Sequence, residues 1–168
     1  MRFTKVFCAI CLVAPAAWSS ATQLDDAFSG TCKPGPVQSI DAGDRPDHTY
    51  VIATAKCTLS GKIGGAIARQ GAIAEHGEIT PTLVKTWGVH TVTLDGGDKI
   101  FLRYDNSVVI QGGAVKSGSM KYRVVGGTRS MERIRGAGTC TWIGDGDSFS
   151  CIGTSSTDAT TPKTRKPL

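Results

Sequence analysis

Three histidines, a few carboxylates and a run of arginines are the residues of this chain whose types and spacing suit chemistry. Glu75, His76 and Glu78 are close enough in sequence to make an acid–base pair. On a strand, His76 and Glu78 would share one face and Glu75 would take the other. The competing reading is a solvated turn. His90 either lines a cavity from a strand or lies on the exterior beside Arg103. Asp41, Asp44, Asp47 and His48 carry atoms that bind metal ions, but the surrounding glycines and prolines supply no rigid frame. Arg129, Arg133 and Arg135 surround Glu132. Their guanidinium forks would suit a carboxylate or phosphate head group at a barrel mouth; the plainer reading is a solvated loop.

The motif inventory is otherwise bare. There is no G-x-S-x-G elbow, H-E-x-x-H helix, phosphate-binding loop or dinucleotide fingerprint. Asp145-Gly146-Asp147 looks like part of a calcium loop, but the later bidentate glutamate is missing. No residue is assigned as catalytic. Glu75, Glu78 and His90 remain the candidates, and no metal or cofactor is expected.

Positioning such residues falls to strands. Thr49 to Leu59 is β-branched and apolar and ends at Ser60-Gly61. Residues 62–74 carry three glycines, which argue against a helix and for a kinked strand or a meandering loop. Residues 86–94 and 99–104 flank Asp95-Gly96-Gly97-Asp98 and read as a hairpin. With Gly96-Gly97 central, Val89, Thr91, Ile100, Leu102 and Tyr104 share the interior face. His90, Lys99 and Arg103 then take the other face, along with Val92, Leu94 and Phe101. Val108 to Ile110, Met120 to Val125, Thr139 to Ile143 and Ser148 to Gly153 follow as strands. Strands at close intervals with glycine-rich turns, and no convincing amphipathic helix, indicate an antiparallel barrel or sandwich. The pattern alone does not choose between them.

The last hairpin is the most sharply specified. Asp145-Gly146 is a type I′ turn signal. With those two residues as the loop, Gly144 faces Asp147, Trp142 faces Phe149, and Cys140 faces Cys151. Opposed residues are spaced for a disulfide, and a slip by one residue would send the cysteines to opposite faces. The remaining pair is Cys32 with Cys57. A Cys₄ zinc site would need close ligand pairs such as C-x₂-C, which these cysteines do not provide.

Cysteine pairing agrees with the N-terminus. Arg2 and Lys5 precede an apolar stretch from Val6 to Ala17, which is too short to span a bilayer, and Ser19-Ser20-Ala21 supplies small residues before a cut. Residues 1–21 therefore read as a signal peptide cleaved after Ala21, giving a secreted or periplasmic protein with two disulfides. No later segment reads as transmembrane. Loss of Arg2 and Lys5 takes the formal charge from +5 to +3, and Lys163, Arg165 and Lys166 lie in a terminal stretch. The folded body is close to neutral, so nucleic acid is not an expected partner. Residues 22–47, rich in Gly, Pro and Asp, read as a loose leader tied down by Cys32. Residues 48–154 form the β domain, and 155–168 read as a disordered basic tail.

Gly126-Gly127-Thr128, then Ile134, Gly136, Gly138 and Thr139, resemble the pattern GGTGxFxGIxGxGxY of bacterial relatives of the allene oxide cyclase and dirigent barrels. Gly97 to Tyr104 is similar to that family's paired central strands. Arg129 stands where the third glycine usually sits, and Arg133 where another is common. The resemblance implies that residues 48–154 are a β-barrel domain, all-β and antiparallel with about eight strands, whose interior holds side chains or one small ligand. Trp87, Tyr104, Arg129 and Arg133 are the ligand-binding candidates. Trp87 and Trp142 are otherwise ordinary barrel core. The family's cyclases are expected to present a glutamate on the first strand, and Thr49 to Leu59 has no carboxylate. The leading expectation is non-catalytic binding of a small apolar molecule, or a stable interaction module. The alternatives are a cyclase-type isomerase acting on a lipid-derived substrate, and a protein–protein effector or inhibitor.

Overall fold

In the computed structural model, residues 22–144 and 146–157 are described. The leader at 1–21, with its cleavage site, lies outside the described residues, as do Asp145 and the tail from 158 onward. The strands are β1 (Thr22–Asp41), β2 (Thr49–Ile63), β3 (Ala66–Ile79), β4 (Leu83–Leu94), β5 (Lys99–Gln111), β6 (Ala114–Gly127), β7 (Ile134–Ile143) and β8 (Ser148–Thr157). A 3₁₀ turn, Arg129–Met131, joins β6 to β7. Each strand pairs antiparallel with its neighbours in sequence, and β8 pairs with β1, closing an eight-stranded barrel. Closure leaves no sheet edge, which is how a small all-β chain avoids edge-to-edge aggregation.

The expected loose leader is instead the first strand. Thr22 to Thr31 pairs with β8, and Ala27 to Asp41 pairs with β2. Its prolines misled the reading, because Pro cannot donate to a ladder. Pro34 and Pro36 stand beyond the stretch paired to β8, at a register shift between Pro34 and Val37. A missing N–H costs little there. The barrel likewise runs past 154. Ser155 is buried, and β8 continues to Thr157.

The β4–β5 hairpin is shifted by one residue from the expected pairing. Thr93 faces Lys99 and Val92 faces Ile100, with Leu94 N donating to Asp98 O at 2.8 Å. Three residues, Asp95 to Gly97, therefore form the loop. Because side chains alternate, the single slip moves every β4 side chain to the opposite face. His90, Val92 and Leu94 join Ile100, Leu102 and Tyr104 inside, while Val89 and Thr91 turn outward. The β7–β8 hairpin keeps its expected register, with Trp142 facing Phe149 and Cys140 facing Cys151. Both disulfides, Cys32–Cys57 and Cys140–Cys151, join directly opposed residues of adjacent strands.

The core is aromatic at its waist. Phe28 packs edge-on against Tyr122 and Phe149, at centroid distances of 5.8 and 6.3 Å, and Trp142 packs edge-on against Phe149 at 5.6 Å. Each fully buried aromatic or aliphatic side chain contributes about 1.5–3 kcal/mol of transfer free energy.

Candidate functional site

The interior is filled at one end and hollow at the other. Ile63, Ile100 and Ile134 are fully buried at the end carrying the Gly64-Gly65 turn and the 3₁₀ turn, where Met131 packs against them. At the opposite end lies a cavity of about 260 Å³. Val51, Ala53 and Ala55 of β2, Ile73 of β3, Met120 of β6 and Trp142 of β7 are among the residues that wall it. The inward alanines of β2 leave space that larger residues would fill.

Two of its polar groups, Glu75 and Tyr104, belong to a transverse row of paired residues that continues past the cavity. The row runs Ala53, Glu75, Gly88, Tyr104, Tyr122, Gly138, Gly153 and Asp26, one residue from each strand. The two central tyrosines diverge. Tyr104 crosses β4 above Gly88, and its hydroxyl donates to Glu75 Oε2 at 2.7 Å. A Cβ at Gly88 would stand 2.7 Å from that hydroxyl oxygen, so this approach requires glycine. Tyr122 crosses Gly138 and Gly153 toward Asp26. Burial, followed by the Glu75 charge, holds the Tyr104 phenol far above its ordinary pKa. Burial and then the Asp26 charge do the same to Tyr122. Both phenols are therefore neutral; Tyr104 donates to Glu75, whereas the buried Tyr122 hydroxyl has no hydrogen-bond partner among the described residues.

The two carboxylates have different surroundings. Asp26 is buried, and its Oδ1 accepts from Gly64 N–H and the Ser155 hydroxyl, each at 2.8 Å. Burial raises its pKa, while those two hydrogen bonds pull it back. Glu75 is half-buried and lines the cavity. A second polar chain lies beside it. Trp142 Nε1 donates to Asn106 Oδ1 at 2.7 Å, and Asn106 Nδ2 donates to Thr86 Oγ1 at 3.2 Å. Asp147 stands at the rim, and no Lys, Arg or His is among the described residues of the lining.

The structure brings two expected residues together, Glu75 and Tyr104, and separates the others. Glu78 is outside the cavity, with Oε2 3.7 Å from His48 Nε2. His90 is neither cavity-lining nor exterior. It is 1% exposed in the core, T-stacked against Phe149, and burial lowers its pKa to about 4. Trp87 points outward beside His76, on a groove of about 910 Å³ walled also by Arg103, Lys121 and Arg123. Arg129 and Arg133 stand at the filled end, away from the cavity, so they do not guard its mouth. Arg129 pairs with Asp98 at 3.4 Å there, and Arg135 donates to Ile134 O at 2.7 Å.

Arg129 also has φ of +48°, the left-handed conformation for which the resembled pattern supplies glycine. His48 Nδ1 contacts Asp44 Oδ1 at 2.6 Å, and that hydrogen bond lowers the Asp44 pKa. Among the described residues, no group of three or more His, Cys, Asp or Glu side chains is placed to hold a metal ion.

Sequence reasoning missed Thr86, Asn106 and the site role of Trp142. The available signal for Trp142 was its place on the Cys140 face of the last hairpin. The first-strand comparison also shifts. The first strand is β1, and it does carry inward carboxylate, Asp26.

No family profile matches the chain, and no curated protein matches it. Among solved structures it is similar to a pyocyanin demethylase, with a TM-score of 0.44 and 18% identity over 76% of this chain and 98% of that one. It is also similar to a pterocarpan synthase dirigent protein, with a TM-score of 0.43 and 16% identity over 86% of this chain and 94% of the other.

Proposed function

We propose that this protein binds one small, largely apolar molecule in the hollow end of its barrel. The supporting observation is the cavity of about 260 Å³ walled by aliphatic and aromatic side chains. An apolar cavity of about 150 Å³ holds benzene, so this one suits a single ring with a short arm. Apolar walls with a few convergent polar groups are the usual composition of a ligand site. Two disulfides support a working place in an oxidising compartment. Export with cleavage after Ala21 belongs to the same proposal.

Thermal unfolding against a panel of phenols, terpenoid fragments and short fatty acids tests this reading. A compact member should raise the melting temperature of the wild-type protein, and Ala53→Phe, which fills the cavity, should abolish the rise. No stabilisation by any member, or an equal rise in the filled variant, discards the site. The intact mass of the exported protein checks the compartment: it should begin at Thr22 and be four hydrogens light, two for each bridge.

The Glu75–Tyr104 hydrogen bond favours a second reading, an isomerase in which Glu75, oriented by the Tyr104 hydroxyl, moves a proton on the substrate. Unchanged turnover of any detected substrate by Glu75→Gln removes it.

A further inference from the structure

Resting on the cavity reading, we infer that the site selects molecules with a cationic amine head over neutral or anionic ones of the same shape. Glu75 is the carboxylate at the cavity's inner wall, and its Oε2 is held by the Tyr104 hydroxyl at 2.7 Å. One donor does not exhaust a carboxylate, which offers about four acceptor positions. Tyr104 fixes the carboxylate's orientation, and among the described residues no other donor reaches it. Asp147 adds the same sign at the rim, and no described lining residue is basic. A carboxylate ligand would meet like charge in a poorly hydrated space. An ammonium would meet a preoriented acceptor.

The walls reinforce the choice. The Tyr104 and Trp142 side chains both line the cavity, and aromatic faces attract cations. Trp142 N–H is already committed to Asn106, and Asn106 N–H to Thr86. The indole N–H and one amide N–H are therefore engaged, the Thr86 hydroxyl keeps its own proton to donate, and Glu75 remains an acceptor. The expected ligand class is an arylalkylamine-like molecule, with an apolar ring in the alanine-lined space and an amine at Glu75.

Three matched probes test this: 3-phenylpropylamine, 3-phenylpropan-1-ol and 3-phenylpropionate, titrated at constant salt and followed by Trp fluorescence and calorimetry. A charge-assisted hydrogen bond should make the amine bind about tenfold tighter than the alcohol, with the acid weakest. Glu75→Gln should bring amine and alcohol within about threefold of each other, and Glu75→Asp should keep the amine preferred. Circular dichroism of each variant establishes that it is folded. Alcohol binding equal to or tighter than amine binding overturns the inference and leaves the cavity reading standing. An amine preference that survives intact in folded Glu75→Gln overturns it too. Failure of all three probes to bind, where the broader panel also fails, overturns both.

Discussion

At the scale of single residues, burial decides which groups are chemically available. His90 was a candidate acid or base by residue type, yet it lies in the core with neither ring nitrogen hydrogen-bonded. Its folded pKa is about 4, against 6.5 for the free side chain. The unfolded chain therefore takes up the proton first as pH falls. Stability that is full above pH 6.5 should decline down to about pH 4, by about 3 kcal/mol in all. Asp26, whose pKa is raised, acts in the opposite sense at the acid end. Urea midpoints between pH 7 and 4 measure the decline, and His90→Gln should flatten it. An equally steep decline in that variant would assign the effect elsewhere. Glu75 and Tyr104 were each legible as chemically interesting residues. Their pairing was not, because it depends on Gly88 leaving a gap across β4.

At the scale of elements, turn length carries the fold's instructions. The β7–β8 hairpin was readable because its cysteines and aromatics both demand one register. The β4–β5 hairpin was misread by one residue because two adjacent glycines, Gly96 and Gly97, both have positive φ and permit loops of either two or three residues. Nothing local distinguishes those loops. Burial of Val92 and Leu94 does, and their faces are known only once the barrel closes. The Cys140–Cys151 bridge spans a sequence separation of 11 and restrains the unfolded chain. Replacing both cysteines with serine should cost about 3 kcal/mol. Equilibrium urea unfolding checks this, and a loss below about 1 kcal/mol would mean that the hairpin holds without its bridge.

At the scale of the whole molecule, the two ends of the described chain hold the barrel shut. Thr22 to Thr31 pairs with Ser148 to Thr157, and Ser155 reaches Asp26 across that seam. Deleting residues 22–31 should therefore abolish cooperative unfolding and the near-ultraviolet signal of the packed aromatics, whereas a loose leader would be dispensable. A deletion variant that still melts sharply would show that the remaining strands close without β1. The same stagger that closes the barrel brings Ala53, Glu75 and Asp26 into one transverse row, though they lie far apart along the chain. The sequence by itself determined the strand-rich class, the β7–β8 register and the Cys140–Cys151 bridge, because each follows from alternation and turn chemistry within a short span, and Cys32–Cys57 followed as the pair left over. Only the tertiary structure decided that residues 22–41 are a strand, that His90 is core, and that the arginines stand at the end away from the cavity. Those outcomes depend on which face each strand turns inward after closure, a long-range choice that no local run of residues encodes.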